Sequence, residues 1–264
     1  MYAKPSTPST IGGVLDNAFR LLRLSVPRAW PLALAPAVAV ALIDIGLQAR
    51  MPPGVLTDPQ RLLQAVATPG YIVSTAIAIL VQLLGNLALI RQVDALANGL
   101  TLSPWSALAS GVRLLPGAVA AAAMIAIPVT LGLLLLVVPG IYLAGLWLLT
   151  FTAMAVEDTG PVASMRRSGR LIRGEWWRTS TAYTVAVVIA LAIYLPALML
   201  LSLVLAFGGI DAPLTIGLQR LMGVATSTAL ALWFAVVQLA LFYDLELRRS
   251  GADLARRVDA LQAD

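Results

Sequence analysis

Apolar residues run along this chain in blocks of about twenty or more, and polar residues collect between the blocks. A helix of about 20 mainly apolar residues crosses a ~30 Å hydrocarbon core. Residues 29–48, 70–90, 181–207 and 221–243 each meet that length. Residues 116–156 form a longer apolar stretch with Pro139-Gly140 near its middle. Two helices joined by a tight Pro-Gly turn fit it better than one very long helix, because proline and glycine both interrupt helices. The pattern predicts an all-α polytopic membrane protein with six transmembrane helices.

The segments leading into the odd-numbered spans have a different period. Ile11, Leu15, Ala18 and Leu22 form one stripe; Trp105, Leu108, Val112 and Leu115 a second; Val162, Met165, Gly169 and Ile172 a third. Steps of three and four residues put each set on one helical face. Ser103-Pro104 and Thr159-Gly160-Pro161 supply helix starts, since proline suits the first helical turn. Arg20-Leu21-Leu22, Arg113-Leu114-Leu115 and Arg170-Leu171-Ile172 recur in these segments. The chain thus reads as three units of amphipathic helix plus transmembrane hairpin. The likeness between units is short, and either duplication or convergence accounts for it. After residue 243, Leu247, Gly251, Leu254, Val258 and Leu261 repeat at 4-3-4-3 spacing. An integral helical domain over 1–243 and an amphipathic helix over 244–264 are therefore expected.

Charge orients this arrangement. Six spans divide the chain into alternating loops, and of the 18 Lys and Arg residues only Arg50, Arg61 and Arg220 fall on one side. Cytoplasmic loops carry the excess of Lys and Arg, so both termini are expected in the cytoplasm. Trp30, Trp176-Trp177 and Tyr243 sit near the basic borders, as interfacial aromatic residues do. The first block reads as a retained helix rather than a cleaved signal, because its apolar run is long and 28 residues precede it. Lys4 is the only lysine, and alanine is abundant. That bias fits a GC-rich bacterium and the bacterial cytoplasmic membrane.

Composition agrees. Hydrophobic residues make up 59% of the 264 and charged residues 12%, about half the charge of a soluble domain. The mean hydropathy is +0.88. Cysteine and histidine are both absent, which removes disulfides, Cys/His zinc sites, histidine-ligated haem and histidine general-base catalysis. No phosphate-binding loop, paired catalytic carboxylates or nucleophile elbow occurs. No cofactor or metal is expected.

Polar groups inside spans are the default functional candidates, because each destabilises insertion unless partnered. Asp44 is the only acid within a span and lies near its outer edge. Gln82 and Asn86, four apart, share one face of the second span. Gln238 stands alone in the sixth. Interhelical hydrogen bonding is the simple account of these amides. Arg166, Arg167, Arg170 and Arg173, with Trp176 and Trp177 beside them, suit anionic lipid headgroups at the cytoplasmic face better than nucleic acid.

Pro139-Gly140-Ile141-Tyr142-Leu143, Val156-Glu157-Asp158, Ser164-Met165-Arg166-Arg167-Ser168 and Leu171-Ile172-Arg173-Gly174 occur in succession, and Tyr243-Asp244-Leu245-Glu246-Leu247-Arg248-Arg249 closes the series. Together these motifs resemble the glycerophosphoryl diester phosphodiesterase membrane-domain-like family, over most of the chain. The resemblance implies a helical membrane domain. The hydrolase barrel of the namesake proteins has no counterpart here, so no phosphodiesterase activity follows. The expected function is non-enzymatic: an inner-membrane protein that binds lipid or a protein partner, itself included, in envelope maintenance or assembly. A small secondary transporter or channel is the alternative and requires a polar cavity lined by Asp44, Gln82 or Asn86. An enzyme of lipid metabolism ranks third.

Overall fold

The computed structural model describes residues 4–51, 55, 58–208 and 211–250, and all that follows concerns those residues. The secondary structure among them is helical. In chain order the elements are α1 (Ile11–Gln48), α2 (Pro59–Val66), α3 (Pro69–Ala97), α4 (Pro104–Leu135), α5 (Val137–Leu146), α6 (Thr150–Glu157), α7 (Pro161–Ile172), α8 (Trp176–Phe207) and α9 (Ala212–Ser250). Six stretches are long and apolar enough to cross a membrane: α1, α3, α4, the α5–α6 stretch Val137–Glu157, α8, and Pro213–Arg249 within α9. Their lipid-facing character shows in the exposed side chains. Leu134, Leu135 and Phe207 are 78%, 79% and 85% exposed. The chain is a multi-pass membrane protein.

Caps explain where several helices begin. Thr10, Thr68 and Ser103 each accept a hydrogen bond from the backbone N–H three residues on, satisfying a donor that the first turn leaves free. Pro69 and Pro104 then occupy the start of α3 and α4, where the missing N–H does no harm.

Three expectations change. The first two lead segments are not separate helices: α1 runs through Pro27, Pro31 and Pro36, and α4 through Pro116 and Pro128, without interruption. Packing neighbours re-satisfy the backbone groups that proline frees in a membrane helix. The third lead segment, α7, does stand alone, and the chain leaves it through Gly174, whose φ of +93° glycine adopts without strain. Met165, Gly169 and Ile172 of its expected stripe are buried, while Val162 is exposed. The turn between the third and fourth spans falls at Leu136, which is extended, three residues before Pro139. Pro139 and Gly140 belong instead to the first turn of α5. There the bare Cα of Gly140 meets α4: a Cβ would lie 2.6 Å from Leu133 N. Finally, α9 continues through Tyr243 to Ser250 with no break between 243 and 244. The remainder of the expected C-terminal helix lies outside the described residues.

α1 is the central helix and packs most extensively on α9 and α3; α3 packs on α4, and α4 on α5. Small residues permit these approaches, as is usual where lipid gives no hydrophobic drive. Ala107, Gly111, Ala118 and Ala121 are the buried positions of α4. The core is off-centre. Buried positions run from Val14 to Ala37 on α1, from Gly85 to Ala97 on α3 and from Thr179 to Ala186 on α8. On α9 they run from Leu232 to Leu245. All of these lie in the half that carries the arginines. Towards the other end the helices are loosely packed, with Val55 and Gly140 as the buried exceptions.

The α1–α3 crossing is tight at Gly85, where a Cβ would overlap the Pro36 ring, 2.9 Å from its Cβ and nearer to its Cγ. A Cβ at Gly223 on α9 meets nothing within 4 Å. Gly85→Ala should therefore destabilise by about 1–3 kcal/mol through overpacking. Gly223→Ala should be neutral or gain up to about 1 kcal/mol of helix propensity. Thermal unfolding in detergent micelles checks this, and a Gly85→Ala midpoint at or above wild type contradicts the crossing.

Candidate functional site

Most charged groups gather at one end of the bundle, where α3, α6 and α9 finish and α4, α7 and α8 begin. The centre of this end is Asp244, which is 1% exposed. Its carboxylate accepts from Arg178 Nη1 at 2.6 Å, from Arg248 Nε at 3.1 Å and from the Ser9 backbone N–H at 2.6 Å. The same two guanidiniums donate to the Ser9 carbonyl, at 2.5 and 2.7 Å. The segment before α1 is thus held between the start of α8 and the end of α9. A buried carboxylate is stable as a charge only when paired and hydrogen-bonded, and here two cations and an N–H meet that need.

Around this clasp lie further ties. Arg167 on α7 bridges Glu157 at 2.6 Å and Glu246 at 2.9 Å. Arg91 Nη1 donates to the Ala155 carbonyl at 2.7 Å, near the carbonyl end of α6. Arg113 pairs with Asp158, which terminates α6 in the left-handed conformation. Tyr243 donates to Asp94 at 2.5 Å, and the Lys4 ammonium sits 4.1 Å above the Tyr243 ring. Trp176 Nε1 donates to the Tyr142 carbonyl at 3.1 Å, linking α8 to α5.

The six lipid- or partner-contact candidates divide under this geometry. Arg167 and Trp176 are half-buried and engaged in the ties just described. Arg166, Arg170, Arg173 and Trp177 are exposed, Trp177 to 80%. Among the described residues no carboxylate within ion-pair distance serves Arg166, Arg170 or Arg173 at its side chain. Arg167, Arg170 and Arg173 join Arg249 around a cavity of about 400 Å³ floored by Leu171. Arg249 is steered there by donating to the Arg173 carbonyl. α7 positions these groups: residues 166 and 170 share its outer face and Arg173 follows as its extended C-cap, while Ser164, Ser168 and Leu171 are buried. The sequence singled out α7's arginines but had no means of adding Arg249 from α9.

The intramembrane candidates also come together. Gln82 and Asn86 line one cavity of about 460 Å³ with Gln238, Tyr183 and Ser227, against Pro36 and Phe234. Gln238 is not alone: it accepts from Thr152 at 3.2 Å and lines the cavity beside Tyr183. Asp44 is exposed and lines a neighbouring cavity of about 200 Å³ with Gln48, Arg220 and Ser227. Tyr183 and Ser227 carried no signal in the sequence, because a single hydroxyl in an apolar helix is common. Among the described residues no group of three Asp or Glu side chains is placed to hold a metal.

Residues 10–245 match the family model described as Domain of unknown function (DUF7847). No curated protein matches the chain, and no solved structure does.

Asp244→Ala should leave Arg178 and Arg248 uncompensated against the Ser9 carbonyl. Removing one member of a buried pair destabilises by about 3–5 kcal/mol. The expected readout is a lower thermal midpoint together with faster amide exchange of Ser9. Unchanged exchange there would rule out the clasp.

Proposed function

The chain belongs to the family of unknown function DUF7847, and on that premise we propose that it is a non-enzymatic membrane protein that captures anionic lipid headgroups at its arginine-rich end. The observation that carries this reading is the cavity lined by Arg167, Arg170, Arg173 and Arg249. Arginine presents planar, bidentate donors to phosphate oxygens and stays charged at any physiological pH. Each basic residue near an anionic surface contributes roughly 1 kcal/mol of attraction. Trp177 and Trp105, exposed at the same end, supply the amphipathic rings that settle at headgroup depth.

In this reading the arginine-rich end faces the cytoplasm of a bacterium, and the membrane is the inner one. The uneven division of Lys and Arg between the two sides supports that orientation. The spans act as three hairpins, with α7 lying along the headgroup layer as an amphipathic helix. Its buried Ser164, Ser168, Leu171 and Ile172 dock on the bundle, and its exposed arginines meet the lipid. Binding of this kind suits a role in envelope maintenance or assembly, in which lipid or a protein partner is held rather than transformed.

Arg166→Gln, Arg170→Gln and Arg173→Gln combined remove charge without touching the Arg167 bridge. In nanodiscs the triple variant should lose at least about tenfold of its preference for retaining phosphatidylglycerol over phosphatidylethanolamine, ~1.4 kcal/mol, read by native mass spectrometry. An unchanged preference sinks the headgroup reading.

A further inference from the structure

The cavity at Gln82 and Asn86 lies in the wrong place for an anion. Its polar lining consists of three carboxamides, Gln82, Asn86 and Gln238, and two hydroxyls, Tyr183 and Ser227. No Asp, Glu, Lys or Arg is among the lining residues. A charged ligand at this depth would face a large desolvation penalty with no counter-ion to offset it. Each carboxamide both donates and accepts, and so does each hydroxyl. The complementary ligand group does the same, and its carbon skeleton can rest on Pro36, Leu32 and Phe234, the apolar side of the same cavity.

Geometry gives the site an entrance and a floor. Ser227 lines both this cavity and the neighbouring one formed by Asp44, Gln48 and Arg220. Arg220 donates to Gln48 at 3.4 Å, across α9 and α1. The polar track along α9 thus runs from Arg220 through Ser227 to Gln238, about 27 Å at 1.5 Å per residue. Beyond Gln238 the bundle closes: Leu239, Phe242, Val93 and Ile90 are fully buried. The track opens at the loosely packed, arginine-poor end and stops at the core. Polar side chains left facing hydrocarbon are unfavourable, yet Gln82 and Ser227 are exposed beside the cavity. A hydrated, ligand-holding vestibule resolves that conflict.

We infer that the cleft between α1, α3 and α9 is a binding site for an uncharged, multiply hydroxylated group, such as a sugar or glycerol moiety, that enters from the Asp44–Arg220 end. The hydroxyls belong to a free polyol or to a lipid headgroup, two sources that the test below separates. This site is separate from the arginine cavity and stands whether or not that cavity binds lipid.

The absence of cysteine from the chain permits a direct test. Single substitutions Asn86→Cys and Ser227→Cys line the cleft, and Ile79→Cys faces outward on α3, where residue 79 is 54% exposed. In sealed vesicles, a water-soluble, membrane-impermeant thiol reagent supplied on the arginine-poor side should label residues 86 and 227 at least about tenfold faster than residue 79. Variants are compared only when their thermal midpoints match the parent. Labelling of 86 and 227 as slow as that of 79 overturns a hydrated cleft. Glucose and octyl glucoside are then added as probes. Protection by both indicates a free polyol as ligand, and protection by octyl glucoside alone indicates a headgroup. Protection by neither, or protection that survives Gln82→Ala with Gln238→Ala, overturns the hydroxyl site.

Discussion

The fold depends on one buried carboxylate. Asp244 joins the end of α9 to the start of α8 through Arg178 and to the segment preceding α1 through Ser9. In a bilayer, helices gain little by burying apolar faces against one another, because lipid is an equally good apolar solvent. Association must come from close packing and from polar contacts at places where water is scarce. The Asp244 clasp supplies the second, and the small residues of α1, α3 and α4 supply the first. Arg167 and Arg91 add α7, α6 and α3 to the same knot. Only after these ties are made does an outer row of arginines stand free for anything else.

This concentration explains the shape of the core. Buried side chains crowd the arginine-rich half, and the other half is left to lipid and to shallow cavities. A bundle tied at one end can be loose at the other without losing register. The looseness also positions chemistry, because the polar faces of α3 and α9 are not squeezed together there. Gln82 and Asn86 can line a cavity where the core gives out, whereas Gln92, six residues beyond Asn86 on α3, is buried with its amide donating to the Leu102 carbonyl.

Span number was legible because hydropathy over twenty residues reports directly on the solvent. Helix starts at Ser103-Pro104 and Pro161 were legible too, since the chemistry of a helix's first turn is local. The continuity of α1 through Pro27, Pro31 and Pro36 was not, because tolerance of those prolines depends on neighbours in space. The same limit applied to Asp244. In the sequence it stood only as a member of the closing motif from Tyr243 to Arg249, and nothing local announces that Arg178 and Ser9 will surround it. Short motifs that stood out by their resemblance, around Glu157-Asp158, Arg167 and Asp244, prove to contain the residues that tie the helices together. Candidate amides four apart were visible as one helical face. Their convergence with Tyr183, Ser227 and Gln238 needed the tertiary structure.

The pairing of α1 with α9 also sets an order of events during synthesis. Ser9 and Asp244 are separated by 235 positions, so α1 is made long before its principal partner exists. At about 5–20 residues per second, the ribosome needs roughly ten to fifty seconds to cover that interval. Throughout it, α1 must wait in the bilayer with its Ala29, Ala33 and Ala37 face covered only by lipid, by α3 once that emerges, or by an insertion factor. α9 is therefore the helix that completes α1, and a chain stalled before α9 lacks the carboxylate that holds Ser9.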